Sequence, residues 1–184
     1  MRTRDMVYTA LFTAVLCAVA PLSLNIGPIP LSFATLAIYL AAGSLDPKCS
    51  AISVVLYVAL GAVGLPVFSG FGAGIAKIIG PTGGFIAGYI PLVLVTGLSV
   101  SRFGQKRLIF VAGMVIGTAL LYALGTAWFT LQMQASLSAA LMACVVPFLV
   151  GDAFKIVIAA IVTPQLRAAI AGSGAKDAGG GARS

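Results

Sequence analysis

The sequence predicts an all-α integral membrane protein of six transmembrane helices with both termini on the cytoplasmic side. Three observations carry that prediction. Only 8% of the 184 residues are charged while 60% are hydrophobic, and the mean hydropathy is +1.12. A soluble domain carries about 25% charged residues, so a water-facing surface cannot be assembled here. The charges also leave long uncharged tracts. A spanning helix needs roughly 20 apolar residues, so this length holds about six spans and no large extramembrane domain. Finally, nearly all the cations fall on one side of the alternating loops, as the positive-inside rule describes for cytoplasmic loops.

The spans follow in order. Residues 6–45 carry no charge, and the turn signal Asn25-Ile26-Gly27-Pro28-Ile29-Pro30 divides them into spans 6–23 and 32–45. The first imitates a secretory signal, with Arg2 and Arg4 before it and Ala18-Val19-Ala20 at its end. Pro21 follows the cleavage-like point and many spans come after, so a retained helix is expected. The third span is 49–63 and the fourth 83–101. Residues 108–151 are again uncharged and divide at the polar stretch Gln132 to Ser138 into spans 108–128 and 140–166, with Pro147 predicting a kink. Residues 1–168 thus form one domain. Residues 169–184, with Gly-Ser-Gly and Gly-Gly-Gly and no apolar periodicity, read as a flexible cytoplasmic tail. There is no internal repeat of the kind found in inverted-repeat transporters.

This six-span arrangement places Arg2, Arg4, Lys48, Arg102, Lys106, Arg107, Arg167, Lys176 and Arg183 on one face, nine of the 11 cations. Only Lys77 lies opposite, and Lys155 is inside a span. A five- or seven-span chain would split these clusters. The net charge of +7 is therefore a membrane signal, and no aromatic-basic interleaving points to nucleic acid. Cys17, Cys49 and Cys144 are odd in number and far apart, and the chain has no His, which supports neither a disulfide framework nor a metal site. No GxxxxGK[ST] loop is present, so the chain is not its own ATPase. Without a His base or a second buried carboxylate, an intramembrane enzyme is not expected.

Three constellations could carry chemistry. Asp152 and Lys155 are i, i+3 on one face of the sixth span. Each costs about 2.5–3.5 kcal/mol at mid-membrane on insertion scales, which argues for a polar anchor beneath a ligand cavity over a purely structural ion pair. The segment Gly61 to Gly88 is apolar and rich in glycine, a poor continuous helix. Such backbone is tolerated at membrane depth only where protein covers it or it lines a cavity. It reads either as a plain re-entrant loop or as a lid whose amides approach a ligand, with Lys77 at the entrance and free N–H groups at Thr82, Gly83 and Gly84. Ala10, Ala14 and Ala18 form a small-xxx-small stripe that suits either internal packing or docking of a partner helix.

The run Gly27 to Thr35 (GPIPLSFAT), the stretch GAVGLPVFSGF from Gly61, GPTGGF from Gly80 and the Asp152-x-x-Lys155 pair resemble the BioY family. These are the biotin-specific substrate-binding (S) components of energy-coupling factor (ECF) transporters, and the resemblance covers residues 8–165. It implies the ECF S-component fold in the cytoplasmic membrane, multi-pass, with a site reached from outside. It implies biotin as ligand, no cofactor, and as partners an EcfT-type transmembrane coupling protein and two cytoplasmic ABC ATPases. It further implies that the Asp152–Lys155 pair holds the bicyclic head and that Ala10, Ala14 and Ala18 face the coupling protein. Relatives often carry Gln at the position of Ala34 and Tyr at that of Phe85, and polar residues near Phe71 and Gly72.

Biotin's ureido ring has two N–H donors and a carbonyl acceptor. Asp152 could accept from one while Lys155 donates to the carbonyl or holds Asp152. The rings and tail suit Phe33, Thr35, Phe68, Phe85, Tyr89 and Trp128. The tail carboxylate would lie outward, near the amides of Gly70, Phe71, Gly72 and Gly74 and near Lys77, with an inverted pose that puts the carboxylate on Lys155 left as the alternative. Two other readings stand beside biotin capture: an S component for a different vitamin, and a solitary biotin transporter or facilitator.

Overall fold

The computed structural model describes residues 2–24, 29–104 and 106–180, with side chains through Gly172. In chain order it comprises α1 (Thr3–Val19), a two-residue antiparallel ribbon of β1 (Ser23–Leu24) and β2 (Leu31–Ser32), α2 (Ala34–Ser44) and α3 (Pro47–Val63). A 3-10 turn (Ser69–Phe71) and α4 (Ile75–Ile79) lead to α5 (Gly83–Phe103), α6 (Arg107–Met133), α7 (Leu137–Cys144) and α8 (Val146–Gly180).

Local chemistry explains most boundaries. The Asp5 carboxylate accepts from the Arg2 N–H at 2.9 Å, so α1 starts earlier than the expected residue 6. It also stops short of residue 23, because Pro21 has no N–H to extend the ladder. Residues 25–28 of the expected first turn lie outside the described residues, and their flanks form the β ribbon, a small departure from an all-helical chain. The glycine-rich tract breaks up as its composition demands: α3 ends on Gly64 at φ 117, and the tract then makes only short helical pieces before α5. The sixth span is broken rather than kinked. Val145 leaves helical geometry at φ −122, ψ −55 two residues ahead of Pro147, which has no N–H to carry the α7 ladder forward and sits instead in the first turn of α8. The backbone of α8 runs helical through Gly180, past residue 169 where the tail was expected to begin. Residues 181–184 lie outside the described part.

Three stretches are long and apolar enough to cross a membrane: Gly83–Phe103, Arg107–Met133 and Leu137–Gly172. Helices α2 and α3 are shorter and apolar. An apolar core that includes Leu16, Ile38, Val54, Leu92 and Met114 is accompanied by buried polar groups and an apolar exterior. Thr9, Thr13, Ser50, Ser53, Thr96, Thr118, Asp152 and Lys155 are buried, while Val115, Ile116, Leu120, Leu149, Val150, Phe154, Val157 and Ile161 are exposed. Apolar surface of this extent belongs against lipid.

Helices α5 and α6 pack closely because glycines line their seam. A Cβ at Gly84 would stand 2.3 Å from Trp128 Cβ, one at Gly117 2.8 Å from Leu92 Cδ1, and one at Gly125 2.4 Å from the Phe85 ring. Gly84 and Gly88, like Gly113 and Gly117, are spaced as GxxxG, the small-residue pattern that lets membrane helices approach. This seam fixes α5 and α6 as the wall on which the site is built.

Candidate functional site

Two helices from distant parts of the chain meet at the buried ion pair. On α8, Lys155 Nζ lies 2.9 Å from Asp152 Oδ1, and the two residues are only 5% and 4% exposed. The start of α2 supplies the rest of the shell. Lys155 donates to the Ser32 carbonyl at 2.6 Å and to Thr35 Oγ1 at 3.1 Å, while Thr35 donates to Asp152 Oδ1 at 3.2 Å. An ammonium has three N–H donors, and here all three are used. Across the site, the Tyr122 hydroxyl on α6 donates to Asp152 Oδ2 at 2.6 Å. A carboxylate accepts about four hydrogen bonds. Three are made, so the remaining acceptor position is on Oδ2.

Asp152 lines a chamber together with Pro30, Ser32, Thr35, Ser69, Thr82, Phe85, Ile86, Tyr89, Leu121, Tyr122, Phe148 and Lys155, among others. The ion pair on α8, with Thr35 on α2 and Tyr122 on α6, forms its polar base, Ser69 and Thr82 add hydroxyls from the glycine-rich tract, and Phe85, Tyr89 and Phe148 supply aromatic rings. Phe85 and Phe148 lie with centroids 6.3 Å apart, and Tyr89 leans on Tyr57 at 6.3 Å. The volume open to water centres is about 50 Å³, room for only a few waters at about 10–15 Å³ each. A bicyclic ligand therefore requires the wall to open. On one side of the wall the glycine-rich tract meets the end of the first span through the Gly70 N–H to Pro21 carbonyl bond at 3.0 Å. In chemical terms the chamber offers one strong acceptor at its base to an N–H donor, within an apolar sleeve.

The BioY family model matches residues 1–172. The chain belongs to the BioY family. Among its relatives, the probable biotin transporter BioY of Pyrococcus horikoshii is 34% identical over 91% of this chain and 98% of that protein. The biotin transporter BioY of Thermotoga maritima is 33% identical, covering 89% and 96% of the two chains. The solved S component for biotin of an ECF-type ABC transporter superposes with a TM-score of 0.83 at 25% identity, covering 90% of this chain and 92% of that one. BioY proteins are transporters, not enzymes, in keeping with the lack of catalytic groups in the sequence.

Within this BioY chain, the residues singled out by sequence separate into two groups. Asp152, Lys155, Thr35, Thr82, Phe85 and Tyr89 line the chamber together. Phe33 sits beside it, 37% exposed, its ring centroid 5.8 Å from Lys155 Nζ. Phe68 does not reach the chamber; it is buried edge-on against Tyr57 at 5.7 Å. The lid glycines spend their backbone groups on one another: the Gly74 N–H donates to Gly61 O at 2.7 Å, and Gly72 O accepts from the Phe68 N–H at 3.0 Å. Phe71 points outward, 65% exposed. Gly83 and Gly84 are pressed against Trp128, whose indole donates to Gly80 O at 2.9 Å, and the Lys77 side chain lies over Gly72. Ala10, Ala14 and Ala18 are exposed on α1, away from its buried Thr9, Phe12, Thr13 and Leu16.

Sequence reading missed Tyr122 and Ser32. The signal for Tyr122 was available in part, since a tyrosine in an apolar span needs a partner for its hydroxyl, but nothing in the sequence says which partner. Ser32 contributes through its carbonyl, which any residue could supply.

Proposed function

We propose that this BioY chain captures biotin from outside the cell in the Asp152–Lys155 chamber and delivers it inward with an ECF energy-coupling module. The observation that carries the ligand assignment is the hydrogen-bond polarity at the chamber base. Lys155 has no donor left, whereas Asp152 Oδ2 has one acceptor position open. That favours the pose in which a ureido N–H meets Asp152 and the valeryl tail runs outward past Phe85 and Tyr89. The inverted pose needs a donor that Lys155 no longer has. Lys155 then acts by holding the Asp152 carboxylate in place.

In the proposed arrangement α1, α2, α3, α5, α6 and the α7–α8 pair are six spans of the cytoplasmic membrane, with both termini cytoplasmic. The cation asymmetry supports this orientation. The exposed Ala10, Ala14 and Ala18 face is the docking surface for an EcfT-type coupling protein that carries two ABC ATPases, because small residues let a partner helix approach closely.

The deciding experiment is purification in detergent followed by assay for co-purifying biotin, then titration with a panel of vitamins. Biotin should be retained by the wild type and lost in Asp152→Asn. Retention of another vitamin in its place overturns the assignment. For the partner face, Ala14→Leu should leave biotin binding intact and abolish coupled uptake; undiminished uptake removes α1 from the interface.

A further inference from the structure

Away from the chamber, at the other end of α8, lies a larger cavity of about 730 Å³. It opens between the α2–α3 turn, the end of α5 and the last part of α8, and Arg4, Ser44, Asp46, Ser101 and Arg167 line it. Its hydrogen bonding is lopsided. Arg167 donates through Nε to the Gly43 carbonyl and lies over the Phe110 ring at 5.7 Å. Its Nη2 is nevertheless buried with no partner among the described residues, and the Ser44 hydroxyl is buried and unpartnered in the same way. The ion pair recorded among the described residues is Asp152–Lys155, so Asp46 neutralises neither arginine. Asp46 instead stands at the N-cap of α3, where the helix dipole offsets its charge.

Buried donors without acceptors are costly. One guanidinium nitrogen and a hydroxyl are in this state, and the exposed Arg4 lines the same cavity; together they suit an oxyanion, since the arginine fork matches phosphate oxygens two at a time. The rim also carries apolar Leu45 and Val100, which suits a ligand that is charged at one end and hydrocarbon beyond it. Basic pockets between spans on the cytoplasmic side hold anionic lipid headgroups.

We propose that this cavity is a phosphodiester site that holds the headgroup of an anionic phospholipid. The leaflet follows from the orientation proposed above; the headgroup chemistry does not depend on it. A lipid bound there bridges the inner ends of α2, α3, α5 and α8.

The test uses the full chain in mild detergent, titrated with phosphatidylglycerol and with phosphatidylcholine of the same acyl chains, with bound lipid read by native mass spectrometry. Phosphatidylglycerol should be retained in preference. Arg4→Gln should weaken its retention about fivefold, and Arg4→Lys should restore part of the loss. Lys106→Gln, an exposed cation at the same end but outside the cavity, should change nothing. Arg167→Gln should also lose the lipid, but it uncaps α2, so Arg4→Gln decides if that variant does not fold. Biotin affinity, measured on the same samples, should be unchanged in Arg4→Gln, which separates failure here from failure of the chamber. Equal retention of the two lipids, or equal losses in Arg4→Gln and Lys106→Gln, overturns the site. Displacement of the lipid by millimolar inorganic phosphate overturns the lipid as its source.

Discussion

Helix α8 carries two basic residues, Lys155 and Arg167, about 18 Å apart along its axis at 1.5 Å per residue, and they solve the same problem in opposite ways. Lys155 is sealed. All three of its protons are taken by Asp152, Thr35 and the Ser32 carbonyl, and the unused capacity beside it belongs to an acceptor. Arg167 is incompletely paired: one nitrogen caps the end of α2 and another has no partner. A cation inside a membrane protein thus does not by itself predict an anionic ligand. What matters is which side of the hydrogen-bond account stays open after the protein has satisfied itself. The chamber calls for an N–H donor and the inner cavity for an oxyanion.

The largest expected effect breaks the sealed end. Asp152→Asn leaves Lys155 buried without its counter-ion, and disrupting one member of a buried pair costs about 3–5 kcal/mol. Biotin affinity measured by titration calorimetry should fall about 100-fold or more, with phosphatidylglycerol retention at the inner end unchanged. Loss at both ends would mean that α8 as a whole had come loose, and that the comparison has no local basis. A smaller effect is expected from Tyr122→Phe. It removes a hydrogen bond to a charged group, worth about 1.5–3 kcal/mol, so the affinity should drop roughly tenfold or more. Because Tyr122 acts through Asp152, the same change in an Asp152→Asn background should cost far less. Equal losses in both backgrounds would show that Tyr122 acts on the ligand independently.

At the open end the expected effects are smaller again. Arg167→Gln removes a partly buried cation from the end of α2, a contribution of up to about 2 kcal/mol. Thermal unfolding should shift downward, while biotin affinity stays within twofold. A large loss of biotin binding would show that the inner end of α8 governs the chamber, and that the two ends are one site energetically.

How much of this was legible in sequence follows from the range over which each feature is encoded. Asp152 and Lys155 stood out because two charges three residues apart in an apolar span identify one face of one helix. The breaking of the glycine-rich tract was legible for the same local reason. Tyr122 was not, because its meaning lies in a contact between α6 and α8, which no local spacing records. The lid glycines show why the residue type alone is ambiguous: Gly72 makes room for the Lys77 side chain, whereas Gly74 has open space around it and is there for its positive φ of 82°. The α5–α6 seam was written plainly in Gly84, Gly88, Gly113 and Gly117, yet alanine and glycine are so abundant here that the α1 stripe looked no different. Arg167 was counted as a loop cation, since its sequence position shows that it follows a span but not which helix end it meets.

The smallest effect sharpens the comparison most, because it asks what an uncharged neighbour adds to a cation whose hydrogen bonds are complete. The Phe33 ring stands 5.8 Å from Lys155 Nζ and is 37% exposed. A cation–π contact at a partly exposed site is worth about 0.5–1 kcal/mol, and Lys155 has no other use for that face. Phe33→Leu keeps the apolar bulk and removes the π face. If Phe33 serves only Lys155, biotin affinity should fall about two- to fivefold and the loss should vanish in a Lys155→Met background. If the ring instead covers the ligand, the loss should persist there. Phe33 would then belong to the sleeve around biotin rather than to the lock around the lysine, and the seal on Lys155 would rest on Asp152, Thr35 and the Ser32 carbonyl alone.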